Sequence, residues 1–204
     1  MNRRLFILAC GQAASAFCVA SAASPKDLPV EPEMAVIVKK ILAMTGLHND
    51  VRVVVDHNTR GGAYATTRKG RQYIGVNPDR IGPLKTDGHY NWRALGALTH
   101  EIGHLLGGHT TNGTNSQREE TEADDWSGWA MYRLGGSLDQ AQTAARTYSV
   151  GGSKTHPPRA VRLASVARGW SRAEAGVTPL QDARPRTISW VAWLSQPLPW
   201  SNNR

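Results

Sequence analysis

Cysteine is nearly absent from this 204-residue chain: Cys10 and Cys18 are the only two, and both lie near the N-terminus. Beyond them no disulfide and no thiolate metal ligand is available, which excludes a disulfide scaffold and a cysteine-based zinc site for the rest of the chain. Long basic runs are absent too. The formal net charge is +8, from 24 Lys/Arg against 16 Asp/Glu, yet no Lys/Arg run exceeds two residues. The excess charge therefore reads as a basic solvated surface, and no nucleic-acid-binding motif accompanies it. Internal repeats and low-complexity tracts are missing. No apolar stretch after the first 22 residues is long enough for a membrane span.

What is present belongs to a globular protein. Hydrophobic residues make up 40% and charged residues 20%, and the length suffices for one domain with a sizeable core. Residues 1–22 read as a secretory signal: Arg3 and Arg4 form a basic start, residues 5–22 carry no charge, and Ala20-Ser21-Ala22 is a small-x-small cleavage site. The expectation is export across an inner membrane to the periplasm; retention by an uncleaved N-terminal anchor is the alternative. Removing Arg3 and Arg4 leaves 22 basic against 16 acidic residues, or +6. Residues 23–170 form the expected folded domain. Residues 171–204 change character, with several prolines and Trp190, Trp193 and Trp200, and 188–194 is a short strand or helix candidate. Such a basic, Trp-bearing tail suits contact with a membrane interface or an envelope protein.

Along the domain, Met34, Ile37, Ile41 and Met44 mark an amphipathic helix over 33–47. Residues 51–55 are a β-branched strand, 63–67 and 72–76 are strands joined by a Lys69-Gly70 turn, and Asn77-Pro78 ends the third. Residues 81–90 read as a loop. The 63–67 strand is the candidate edge on which an extended substrate could be added. His48, His57 and His89 fall in or beside turns and receive no role.

The chemistry sits in residues 95–109. His100-Glu101-Ile102-Gly103-His104 is an H-E-x-x-H pattern. On a helix, residues four apart lie one above the other, so both imidazoles can face one metal ion while Glu101 reaches a water beside it. Leu95, Leu98, Ile102 and Leu105 form the apolar stripe of that helix; Asn91 is its candidate cap and Gly107-Gly108 its stop. Zinc needs a third protein ligand. Residues 110–117 read as a loop, and the helix that follows, to about residue 134, opens with acidic residues. Glu120 there is one candidate ligand, with Asp124 one turn further on placed to hydrogen-bond a ligand histidine. His109 is the other: residues 104–109 nearly read as H-x-x-G-x-x-H, but the histidine comes one place early and position 110 is Thr.

Glu120-Thr121-Glu122-Ala123-Asp124 after H-E-x-x-H resembles the gluzincin peptidases, specifically the family of the CAAX prenyl protease and the bacterial heat-shock membrane zinc protease. Thr155-His156-Pro157-Pro158, followed by a helix carrying Arg162, is similar to the family's small-x-His-Pro segment. Tyr132-Arg133-Leu134-Gly135-Gly136 and a short helix over 138–148 are similar to its usual connection. The resemblance spans about residues 33–170. In one place the sequence departs: Gly62-Ala63-Tyr64-Ala65 stands where the family often has Asn-Ala-x-Ala.

The resemblance implies an α+β, zincin-like (minigluzincin) fold, with a small β-sheet before the H-E-x-x-H helix and several packed helices after it. It implies one Zn2+ per chain on His100, His104 and Glu120. Glu101 is then the general base, Asp124 and Arg162 support the site from behind, and His156 donates to a developing oxyanion. The expected activity is zinc-dependent endopeptidase action on polypeptides of the cell envelope, in protein quality control. Two alternatives remain open: a latent zinc-binding envelope assembly or chaperone module, and a zinc amidase acting on cell-wall peptides.

Overall fold

The computed structural model describes residues 28–29, 31–45, 50–111 and 116–177. The 1–22 segment, His48 and the 188–194 segment with the tail tryptophans lie outside the described residues. Among those described, the chain runs α1 (Pro32–Met44), β1 (Val51–Val55), β2 (Ala63–Arg68), β3 (Arg71–Val76), α2 (Pro78–Ile81), β4 (Lys85–Thr86), β5 (His89–Tyr90) and α3 (Trp92–Leu106). A 3-10 turn at His109–Thr111, α4 (Gln117–Arg133), α5 (Leu138–Ala141), a 3-10 turn at Ala145–Thr147 and α6 (Arg159–Glu174) follow. The architecture is α+β, with a small sheet ahead of a cluster of helices.

β3 is the central strand. β1 pairs with it in parallel and β2 antiparallel, in the order β1-β3-β2. Lys69 and Gly70, both at positive φ, make the tight turn whose twist suits a two-residue hairpin. Among the described residues β2 pairs only with β3, so it is an edge strand, as the sequence suggests, and its inner side packs on α3. Opposite Gly75, the ring of Tyr64 lies across the strand in the space a Cβ would fill, and its hydroxyl donates to Asp56 at 3.1 Å.

α3 forms for the reasons read from its stripe. Leu95, Leu98, Ile102 and Leu105 are all buried, each contributing roughly 1.5–3 kcal/mol by leaving water. Asn91 Oδ1 accepts from Ala94 N–H at 3.2 Å and caps the start. Two glycines then bring α4 and α6 together backbone to backbone. A Cβ on Gly128 would run into the Val166 carbonyl, and one on Gly169 into the Asp125 carbonyl. Arg168 and Arg172 on α6 clamp the buried Asp125 of α4 from the same side.

Four expectations are corrected. The first helix stops at Met44, where Thr45 Oγ1 turns back to bond the Leu42 carbonyl at 2.6 Å, and it buries Val38 and Leu42 as well. Residues 81–90 are not plain loop: Asp87-Gly88, both at positive φ, turn a short β4–β5 hairpin. The helix over 138–148 breaks into α5 and a 3-10 turn. There the hydroxyls of Thr143 and Thr147 bond backbone carbonyls three residues back, at 2.7 Å each, and compete with regular helix. Finally, α6 continues to Glu174, past the boundary at 170, and Trp129 Nε1 reaches forward to the Val177 carbonyl at 3.2 Å.

Candidate metal centre

α3 sets His100 and His104 one turn apart, on the side facing α4, where α4 supplies Glu120. The close approach has a local cause: a Cβ on Gly103 would meet the backbone of Ala123 at 2.8 Å. His100, His104 and Glu120 are 6%, 2% and 2% exposed, and they form a group able to hold a metal ion. His100 Nε2 and His104 Nε2 lie 3.1 Å apart, and each is 3.4 Å from a carboxylate oxygen of Glu120. Ligands about 2.0–2.1 Å from a tetrahedral ion are about 3.3 Å apart, close to these spacings, with Glu120 facing His100 through Oε2 and His104 through Oε1. The charges fit as well. With both histidines neutral, as ligation requires, Glu101, Glu120 and Asp124 against Arg162 leave an excess of negative charge that a divalent cation would offset.

The support behind the ligands is continuous. Asp124 Oδ1 lies 2.9 Å from His100 Nδ1, which turns the Nε2 of that ring towards the centre. Arg162, 2% exposed, donates to both Asp124 oxygens, from Nε at 2.7 Å and from Nη2 at 2.8 Å. The same Nη2 lies 3.2 Å from Glu120 Oε2. Beneath the guanidinium is the ring of Tyr148, 3.9 Å from the guanidinium carbon.

In the metal-free protein this packing favours the charged forms. Burial opposes ionisation of Asp124 and Glu120. The His100 charge and hydrogen bond, joined by Arg162, nevertheless hold Asp124 below the usual carboxylate range, and hydrogen bonds from His100 and His104 hold Glu120 well below it. Burial likewise opposes the charged His100 ring, yet Asp124 and then Glu120 keep its pKa well above the usual imidazole value.

Glu101 is half-buried at the same level of α3 and makes no hydrogen bond or ion pair to a described residue. His156 stands at the rim, 54% exposed at the side chain, with Nε2 3.8 Å from Glu120 Oε1. Its loop is held by Ser153, whose hydroxyl accepts from the His156 N–H at 3.1 Å, and by Gly152, where a Cβ would collide with Pro158. The residues singled out in the sequence as ligands and supports therefore converge on one place: His100, His104, Glu120, Asp124, Arg162 and His156.

His109 does not join the ligand group. It lies on the far side of His104, with its Nδ1 3.1 Å from His104 Nδ1 and its Nε2 3.1 Å from Glu122 Oε2. Sequence reasoning missed this placement, and with it Glu122 and Tyr148. For Glu122 a signal existed: Arg118 and Glu122 are four apart on a helix and pair at 2.7 Å. For Tyr148 there was none. No family model matches the chain, and no curated protein matches it.

Proposed function

We propose that this protein is a zinc-dependent endopeptidase with a zincin-like fold, related to the gluzincin family of the CAAX prenyl protease and the heat-shock membrane zinc protease. The observation that carries the reading is the buried triangle of His100, His104 and Glu120, with Glu101 next to the first histidine on the same helix. Two imidazoles and one carboxylate are a donor set used by catalytic zinc, which leaves a further position open. Zinc held there supplies Lewis acidity, activating water near neutral pH and polarising a carbonyl.

The remaining steps belong to the chain. The edge of β2 that is unpaired among the described residues offers backbone N–H and C=O groups to an extended polypeptide and so would set its register beside Glu101. The Glu101 carboxylate takes the proton of the attacking water and delivers it to the leaving amine nitrogen. His156, exposed at the rim beside Glu120, donates from its ring N–H to the substrate oxygen as negative charge builds there. Arg162 and Asp124 keep His100 fixed throughout. The sequence of residues 1–22 supports a site of action in the cell envelope.

The test is metal content and peptide cleavage of the protein beside Glu101→Gln and Glu120→Ala. The expected result is one zinc per chain in the wild type and in Glu101→Gln, none in Glu120→Ala, and cleavage by the wild type only. Turnover by Glu101→Gln would refute the role of Glu101; a zinc-loaded wild type that cleaves no peptide would favour the latent or cell-wall amidase alternatives.

A further inference from the structure

The two histidines of the candidate centre are held in different ways. His100 meets a carboxylate directly, at Asp124. Behind His104 stands a second imidazole, and only then a carboxylate. We propose that His109 and Glu122 form a positioning arm that fixes His104 with its Nε2 lone pair turned towards the metal; the inference rests on the metal-centre reading above.

The hydrogen bonds admit one consistent direction. His104 Nε2 faces His100 and Glu120, so for it to bind a metal its proton must be on Nδ1. That N–H points at His109 Nδ1, 3.1 Å away, which must then accept. His109 therefore carries its proton on Nε2 and donates to Glu122 Oε2, also at 3.1 Å. Glu122 Oε1 accepts from Arg118 Nε at 2.7 Å, which closes the chain at the surface. Each link has a defined donor and acceptor, and each transmits orientation to the next.

The arm is built into the fold. His109 and Glu122 are 5% and 6% exposed. The ring of His109 occupies the space beside Gly107 that any Cβ there would take. The turn bearing His109 is tied to the sheet by the Thr110 hydroxyl, 2.7 Å from that of Thr67 on β2. The ring of His109 also packs edge-on against that of His104, with centroids 5.3 Å apart.

Zinc dissociation constants, measured by chelator competition, test the arm in wild type, His109→Leu, His109→Gln, Glu122→Gln and, as control, Glu120→Ala, with a thermal melt of each. Losing such support typically weakens metal binding by about 10- to 100-fold. His109→Leu and Glu122→Gln should show that loss while folded. His109→Gln should recover most of it, because an amide oxygen can accept from His104 while its NH2 donates to Glu122. If His109→Leu does not fold, Glu122→Gln, which keeps the shape, carries the comparison. Wild-type affinity in both His109→Leu and Glu122→Gln, with zinc lost in Glu120→Ala, overturns the arm and leaves the centre standing. Complete loss in both His109 variants would make His109 a ligand and overturn it differently. No zinc in the wild type overturns the centre and the arm together. In the zinc-loaded wild type, nitrogen NMR should place the proton of His104 on Nδ1 and that of His109 on Nε2; the opposite tautomer at His109 is incompatible with the arm.

Discussion

Asp124→Asn removes one charge from a pair that water barely reaches. Arg162 and Asp124 are each 2% exposed, and two N–H groups of the guanidinium end on the two carboxylate oxygens at 2.7 and 2.8 Å. Asparagine keeps one acceptor and presents an NH2 to the other N–H, so one charge-assisted bond, worth about 1.5–3 kcal/mol, becomes a donor facing a donor. The Arg162 charge also stays buried with half its compensation. Breaking a buried pair from one side costs about 3–5 kcal/mol, which in a domain of this size lowers Tm by about 6–20 °C. Arg162→Met should cost more, because it takes a charged partner from Asp124 and Glu120 at once. The double variant should lose less than the sum, by at least about 1 kcal/mol, since neutralising Asp124 removes part of what Arg162 compensates. Urea unfolding of metal-free protein is the suitable assay, as bound metal would add its own linkage. Additivity within about 0.5 kcal/mol, or Asp124→Asn melting with the wild type, would refute the account of this pair.

Two further outcomes follow from other parts of the fold. Gly169→Ala forces a Cβ into the Asp125 carbonyl and should cost at least about 1–3 kcal/mol in a melt, where an ordinary helical Gly→Ala stabilises; a rise in Tm would refute the close approach of α4 and α6. Burial, together with the Asp56 hydrogen bond and charge, pushes Tyr64 from 10.0 up to about 12. Its folded pKa lies above the unfolded one, so its stabilising contribution is present below pH 10 and is lost as pH rises through about 12. An absorbance titration of the phenols should show this late step, and Asp56→Asn should move it back towards 10.

The outline of the centre was legible because its parts repeat at short intervals on helices. The four-residue step of His100 and His104, and that of Glu120 and Asp124, each fix a common face without tertiary knowledge. The strands were legible through their β-branched runs, the hairpin through Lys69-Gly70. What stayed hidden needs long-range packing. By propensity alone Gly128 and Gly169 would each weaken a helix by about 1 kcal/mol relative to alanine; only the contact between the helices accounts for them. His109 was judged by ligand spacing, and that was the wrong question. Gly107-Gly108 turns the chain at the end of α3, so the ring lies behind His104 rather than on the side of His100 and Glu120. Once the chain turns over two glycines, spacing along a helix no longer says which side of the neighbouring ring a side chain will meet.

The two supports behind the histidines also differ in what each is attached to. The His100 support runs through Asp124 to Arg162, and so binds α3 to α4 and α6, the last two meeting backbone to backbone at Gly128 and Gly169. The His104 support runs through His109 to Glu122 and ends at Arg118, whose side chain is 62% exposed. Its midpoint is tied by Thr110 to β2, the strand proposed to hold substrate. A displacement of β2 on substrate binding would therefore act on the turn carrying His109, and through it on His104, while His100 stays anchored in the helical core. If zinc and peptide bind as proposed, a ligand anchored in the helices on one side and a ligand linked to the sheet edge on the other would couple peptide binding to metal affinity. By linkage the coupling must run both ways: a peptide that docks on β2 and tightens zinc binding must itself bind more tightly to the zinc-loaded protein, by the same factor.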